Sequence, residues 1–467
     1  MLEAAESLDL TRLGLSNGAI DLAPFAAIEA PLSDAAQVLE AARSRAELID
    51  DGATLPELAE AVREVRGAVT EAATVVGTLH GAATLLPSML GGEGPRTYVV
   101  AMQNNAELRS SGGIIGSIAL LRAENGRITL VRQASAQEFP PLDAPLPLSE
   151  STVALFEDGP GRYLQNLTSI PDFAEAGPAI ANRWQGVFGD PVDGVVAVDT
   201  VVAAHLMGAV GDLSFGPFTV TSDSVVDVLL SQIYAAVPDP AVQDQIFAQA
   251  ASALLATALT GAEPQALLAA LASAADEHRI RVWSAHDDEQ AVLAASDLGG
   301  TIAPDRTDEA SVGVLLNDTT GGKMDYYTRA SVGVATGACA GVPTTQVRVT
   351  WTNDAPGDAG AALPPYVTGD GRYGVPPGSV RTLIAVYGPD GATLAGSDRD
   401  GTEEPVQTAL VSGRSVVQHE VLLAPGESTT VTVDFQGGDA GERRTQVRQT
   451  PTAGDGETTR DELHCRS

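Results

Sequence analysis

Apolar residues along this chain change their spacing twice. Over residues 1–92 they recur every three or four positions, as in "SDAAQVLEAARSRAELI" and "LPELAEAVREVRGAVTEAATVVGTLHGAATLLPSML", the period of an amphipathic helix. Ser33–Asp34 supply a start signal and Pro87 with Gly91–Gly92 a stop, so a helical stalk or small bundle is expected here. From 93 to 335 short apolar runs alternate with helical stretches. "RTYVVAM" and "PVDGVVAVD" read as buried strands. "IIGSIALLRAENGRITLVRQAS" reads as a hairpin, because Asn125–Gly126 tolerates the positive φ angles of a tight primed turn. "VVAAHLMGAVG", capped by Asp199, "SVVDVLLSQIYAAV", capped by Ser222, and the alanine-rich stretches 241–259 and 264–277 read as helices. "RIRVWSA", "DDEQAVLAASDL" and "SVGVLLND" then continue as strand, helix and strand. This order predicts an α/β domain, a mixed sheet covered by helices on both faces. From 336 to 467 a period of two takes over in "TQVRVTWTN", "VRTLIAVYGPDG", "VVQHEVLLAPGESTTVTVDF" and "RTQVRQT". Turns rich in Pro, Gly, Asp and Asn part these runs, which predicts a C-terminal β-sandwich.

Composition bears on location. The balance of 61 acids against 27 bases leaves a net charge of −34, which repels phosphate and argues against a nucleic-acid partner. Lys323 is the one lysine among those 27 bases, the arginine bias of a GC-rich genome, and it points to an actinobacterial source. Two cysteines stand in the chain, Cys339 and Cys465. Paired, they would pin the C-terminus and place the protein in an oxidising, extracytoplasmic compartment; as two separate buried thiols they would not. There is no apolar run of about 20 residues and no signal-peptide pattern, so an envelope protein would carry its membrane anchor outside this sequence.

Candidate chemistry concentrates where the first strand ends. In "YVVAMQNNAELRSSGGIIGS", Gln103, Asn104, Asn105, Glu107 and Arg109 follow one another at a strand end, and two of the chain's eight asparagines are adjacent there. Strand ends of open α/β sheets are the usual seat of ligands. Arg109 offers a planar fork for phosphate or carboxylate, and Gly112–Gly113 would let backbone N–H groups approach an anion. "LNDTTGGKMDYY" adds Lys323, either to the same pocket or to a salt bridge between domains. Asp172 in "IPDF" is a helix cap or a pocket carboxylate. The six histidines are scattered without HxH, HExxH or CxxC spacing, and no GxSxG, Walker or GxGxxG pattern occurs. No metal or cofactor is therefore expected.

In order, "RTYVVAMQNNAELRSSGGIIGS", "IPDF", "DGVVAVD" and "LNDTTGGKMDYY" resemble an uncharacterised family of actinobacterial envelope proteins, a domain of unknown function, over residues 30–440. That family is distantly similar to the LytR–CpsA–Psr proteins, which transfer lipid-linked glycopolymers onto the cell wall. The resemblance implies a LytR–CpsA–Psr-like α/β core with an apolar pocket for a polyprenyl chain. It also implies a polyprenyl-phosphate-linked glycan or cell-wall polymer as partner, and a place at the membrane-anchored cell envelope. The transferase machinery does not carry over. Gln103 and Asn105 stand where those enzymes place an aspartate and an arginine, "IIGSI" has Ser117 and no carboxylate, and their later arginines have no counterpart. Neutral amides are poor ligands for the magnesium that a pyrophosphate requires. The expectation is an envelope protein that binds an isoprenoid-linked or glycan ligand during glycopolymer or exopolysaccharide assembly. Two alternatives stay open: a phosphotransferase with a rewired site, and a structural surface module in which QNNAELR is a hydrogen-bonded corner. A pocket requires Arg109 to open into a cavity flanked by apolar helices. A solid core around it removes the pocket.

Overall fold

The computed structural model describes residues 15–16, 19–49, 56–260, 263–300, 302, 309–438, 444–454 and 456–465. Helices α1 (Ala23–Glu47) and α2 (Pro56–Met89) lie side by side. Helix α1 starts with Pro24 in its first turn, which needs no amide there, so Ser33–Asp34 lie inside the helix and not at its start. The far end of α2 docks on the domain that follows, where Ser88 Oγ donates to Glu289 Oε1 at 2.7 Å.

The central sheet contains β1 (Arg96–Asn104), β2 (Ile114–Glu124), β3 (Arg127–Ser135), β4 (Gly194–Val198) and β5 (Ile280–Ser284). Its order is β3-β2-β1-β4-β5, and only β1 and β4 run parallel. The β2–β3 turn has Asn125 at φ 50° and Gly126 at φ 77°, the primed geometry that the dipeptide implies. Helix α3 (Phe173–Phe188) covers one face, burying Phe173, Ile180 and Trp184 against Val99, Ile118 and Val195. The other face is covered by α2, α4 (Thr200–Val210), α6 (Pro264–Asp276) and α7 (Asp287–Ala294), through Leu85, Val202, Ala274 and Leu293. Helix α5 (Pro240–Thr260) packs beside α4. Helices on both faces of a mixed sheet are the α/β arrangement expected from the sequence. The stretch expected as one helix after α4 contains a π-helical turn at Val228–Gln232, and Ser224 stands at its entry where Ser222 was expected.

Two five-stranded sheets form the C-terminal sandwich. Their strands are β6 (Glu309–Asp318), β7 (Thr328–Cys339), β8 (Val342–Asn353), β9 (Val380–Tyr387), β10 (Thr393–Arg399), β11 (Gln407–Val411), β12 (Arg414–Leu423), β13 (Ser428–Gln436), β14 (Arg444–Gln449) and β15 (Glu457–Arg460). One sheet runs β11-β12-β9-β6-β14 and the other β10-β13-β8-β7-β15. "SVGVLLND", expected as the last strand of the α/β sheet, is β6 and lies inside the sandwich. Alternation explains why: Val312, Val314 and Leu316 face the sandwich core with Trp351, Val421 and Phe435, while β9 and β14 pair its two edges. A Cys339–Cys465 disulfide ties the end of β7 to the C-terminal tail. Among the described residues no helix is long and apolar enough to cross a membrane.

Candidate functional site

The loop between β1 and β2 lies in the seam between the α/β domain and the sandwich. Its geometry follows from two glycines. Gly112 has φ +139°, and a Cβ on Gly113 would stand 2.2 Å from the Asn104 carbonyl oxygen, so only glycine closes the loop this tightly. Their amides are spent within the protein, however. Gly112 N donates to Arg109 O at 2.8 Å and Gly113 N to Gln103 Oε1 at 3.1 Å, so neither faces an anion. Ser111 Oγ donates to the same Gln103 oxygen at 2.9 Å. Leu108, fully buried, is a member of the sandwich core together with Val312, Leu316 and Met324. The loop of one domain thus supplies a core residue of the other.

Polar residues on either side of Leu108 fasten this plug. Glu107 accepts from Lys323 Nζ at 2.5 Å and from Arg109 Nη2 at 3.1 Å. The Arg109 side chain is nearly sealed from solvent. Its remaining N–H groups go to Leu108 O at 2.8 Å, Asp318 O at 3.2 Å and Asn166 Oδ1 at 3.1 and 3.3 Å. A guanidinium has five N–H donors, and all five have protein acceptors. Leu108 N donates to Asp325 Oδ2 at 2.7 Å, and Asp318 N to Leu108 O at 2.9 Å. Asn104 accepts from Ala106 N at 2.9 Å and donates to Tyr234 Oη at 2.5 Å.

A second layer surrounds Asn105. Its Nδ2 donates to Asp199 Oδ2 at 3.0 Å and to Pro451 O at 3.2 Å, and its Oδ1 accepts from Thr200 N at 3.1 Å. Asp199 caps α4, accepting from Val201 N and Val202 N, and forms an ion pair with Arg279 at 2.7 Å. Arg279 also donates to Thr452 O at 3.0 Å, so the tail segment after β14 is bound into the same layer. Gln103, Asn104, Asn105, Glu107, Arg109 and Lys323 therefore come together, and they do so as an interdomain interlock. Asp172 is not among them. It caps α3 through Ala174 N at 2.9 Å and lines a separate cavity.

Charge in the interlock is unevenly held. Burial pushes the Glu107 carboxyl up, but Lys323 and Arg109 outweigh it and hold the group below the usual carboxylate range. Burial would lower Lys323, yet Glu107 raises it well above an ordinary lysine. Burial first, then the Glu107 charge, pushes Asp318 up to about 6. Burial and the neighbouring Asp318 raise Asp325 well above its usual value, and its Oδ1 is buried without a partner. The folded chain therefore keeps protons on Asp318 and Asp325 that the unfolded chain releases. Their contribution to stability is present in acid and lost as pH rises, for Asp318 through about 6. Glu107 contributes the opposite way, losing its stabilisation as pH falls below the glutamate range. The seam is expected to be tightest in weak acid. Urea unfolding of Asp325→Asn should show a shallower loss of stability from about pH 5 to about pH 8 than the parent chain. An equally steep loss would contradict the assignment.

One further constellation follows no motif along the chain. Ser397 Oγ lies 2.5 Å from His419 Nε2, and His419 Nδ1 lies 3.0 Å from Glu404 Oε1. The connectivity is that of an acyl-transfer relay. His419, however, is 1% exposed and bridges β12 of one sheet to β10 of the other, the position of a clamp between sheets. A cavity of about 420 Å³ near that edge is lined by Arg399, Val421 and Thr429, and one of about 480 Å³ by Asp172, Glu175 and Tyr387; Arg109 lines neither. Among the described residues no three His, Cys, Asp or Glu side chains are arranged to hold a metal ion.

Residues 93–234, the segment from the approach to β1 through the π-helical turn, match the model of a family described as protein of unknown function (DUF4012). No curated protein matches the chain. Among solved structures, protein gbs0355 from Streptococcus agalactiae is 12% identical, with 46% of this chain and 77% of that one covered and a TM-score of 0.31. Lin1025 protein from Listeria innocua is 8% identical, with 48% and 86% covered and a TM-score of 0.26. The transcriptional regulator yvhJ from Bacillus subtilis is 11% identical, with 43% and 76% covered and a TM-score of 0.24. Likeness of this order does not establish a shared fold.

Proposed function

We propose that this chain is a non-catalytic, extracytoplasmic module of the bacterial cell envelope, in which the α/β domain and the β-sandwich work as one body. The observation that carries the reading is the closure of Arg109. All five of its N–H groups are spent on Glu107, Asn166, Leu108 O and Asp318 O, leaving none for a phosphate. A transferase of lipid-linked glycopolymer needs cations and hard oxygens presented to a pyrophosphate. Here the arginine of the motif and Lys323 both turn onto Glu107 inside the seam. The Cys339–Cys465 disulfide supports an oxidising compartment. The order of QNNAELR, IPDF and DGVVAVD, all within the segment that matches the family of unknown function, supports kinship with envelope proteins of that type. A role in glycopolymer or exopolysaccharide assembly would then be one of holding or presenting, with turnover left to other proteins.

Incubating the full chain with magnesium and a polyprenyl-pyrophosphate-linked saccharide tests this. The expected result is no release of polyprenyl phosphate. Magnesium-dependent release that disappears in Arg109→Lys, a change that keeps the charge but loses the fork, would overturn the reading in favour of a rewired phosphotransferase.

A further inference from the structure

Two residues past Arg279 stands an arginine without a counter-ion. Arg281 lies on β5 between Ile280 and Val282, which join the core beneath α4 and α6, so alternation turns Arg281 toward the α3 face. The residue is 4% exposed, and Gly300 covers its stem so closely that a Cβ there would stand 2.5 Å from Arg281 Cδ. A guanidinium has five N–H donors. Among the described residues Arg281 makes one hydrogen bond, from Nη1 to Ile280 O at 3.4 Å, and no ion pair.

Its neighbours bring charge of the same sign. Arg448 reaches in from β14, donating from Nη1 to His278 Nδ1 at 2.6 Å and pairing through Nη2 with Asp297 at 2.8 Å. Burial first, then Arg448 and Arg281, pull the His278 imidazole down to about 3, so it is neutral. With Nδ1 accepting, its hydrogen sits on Nε2, which has no acceptor among the described residues. Burial, and after it Arg448, lower Arg281 to about 9 against the pull of Asp297 and Asp199, which leaves it a cation at neutral pH. The acids are committed elsewhere. Asp199 and the half-exposed Glu277 meet Arg279, and Asp297, 55% exposed, meets Arg448. Three buried guanidiniums, those of Arg279, Arg281 and Arg448, thus face one buried carboxylate. Water can accept from the free N–H groups of Arg281, but a buried charge without a counter-ion stays costly.

Free donors and one excess positive charge call for a monoanion. Access limits its size, because Arg281 is almost covered and lines neither of the cavities of about 420 and 480 Å³. We propose that Arg281 binds a small monovalent anion, chloride or one of its size, in the seam beside His278 and Arg448. Anion concentration then bears on how firmly the two domains hold together. The site is separate from the Arg109 cluster and stands whether or not that cluster is catalytic.

The test is the NMR line width of chloride with the full chain, bromide serving as competitor, for the parent, Arg281→Met and Asp297→Asn. The parent should broaden the chloride line, and bromide should reverse the broadening. Arg281→Met should lose that effect. Asp297→Asn removes an acid that competes for the same cations, so its affinity for chloride should rise severalfold. Heating gives a second readout. The melting temperature of the parent should climb with chloride and level off, beyond the screening that sodium gluconate gives at equal ionic strength. In gluconate alone Arg281→Met should melt no lower than the parent, because it removes an unpaired buried charge and keeps an apolar stem. Broadening that is absent, or equal in the parent and Arg281→Met, would overturn the proposal. So would an Arg281→Met variant that melts below the parent in gluconate, since Arg281 would then have its partners inside the protein.

Discussion

Replacing Glu107 with alanine is expected to lower the stability of the chain by about 3–5 kcal/mol, because it strips the shared counter-ion from two buried cations at once. Lys323 Nζ and Arg109 Nη2 both meet this one carboxylate in the structure. Surface ion pairs contribute little, about 0–1 kcal/mol, but Glu107 and its partners are nearly sealed from water. The loss should also depend on pH in a particular direction. Glu107 helps to keep Asp318 and Asp325 protonated, so without it these acids ionise more readily and partly neutralise the cations. The variant should therefore recover more of its stability at about pH 8 than at about pH 5. Urea unfolding at both values, with Glu107→Gln as a control of the same shape, checks the size and the direction. A loss within about 0.5 kcal/mol, the range of an ordinary surface substitution, would show that the cluster does not hold the seam.

Asp199→Ala is the second large effect. The Asp199 side chain is fully buried and serves three partners that belong to different parts of the chain. Oδ1 caps α4, and Oδ2 binds both Arg279 and Asn105. Removing a cap costs about 1 kcal/mol; Arg279 keeps Glu277 Oε2 at 2.5 Å but loses its fully buried partner, a charged hydrogen bond worth about 1.5–3 kcal/mol, so the cation dominates. Asp199→Asn separates the two. Its one oxygen retains the cap while its NH2 turns toward two donors, Arg279 Nη1 and Asn105 Nδ2, so it should keep the start of α4 closed and still lose the ion pair. Hydrogen exchange should show the tail around Thr452, which binds Arg279 through its carbonyl, opening together with the start of α4. Exchange confined to α4 would mean that Asp199 is a cap and nothing more.

Local features were legible in the sequence wherever a residue's nearest neighbours decide its state. The Asn125–Gly126 turn, the Asp199 cap and the alternation of the sandwich strands all depend on a few adjacent residues. The motif itself also announced that something polar is packed at the end of β1. Its role was not legible, because its partners are distant: Arg109 meets Asn166 and Asp318, and Glu107 meets Lys323. A pattern of period two identifies β6 as a strand and does not say which sheet pairs it. Hence "SVGVLLND" was expected in the α/β sheet, although its edges bond β9 and β14. The alternation of Glu107, Leu108 and Arg109 is informative only in hindsight: an apolar residue between two charged ones is what a plug with a fastening on each side requires.

Calorimetry of the parent chain and of Glu107→Ala tests the interlock most directly. If the loop joins the two domains into one body, the parent should melt with the α/β domain and the sandwich in a single transition. The variant should then split into two, the sandwich component at lower temperature because Leu108 no longer stays seated in its core. A variant that melts like the parent while losing a bound phosphate-bearing ligand would contradict the account and return QNNAELR to the status of a binding site.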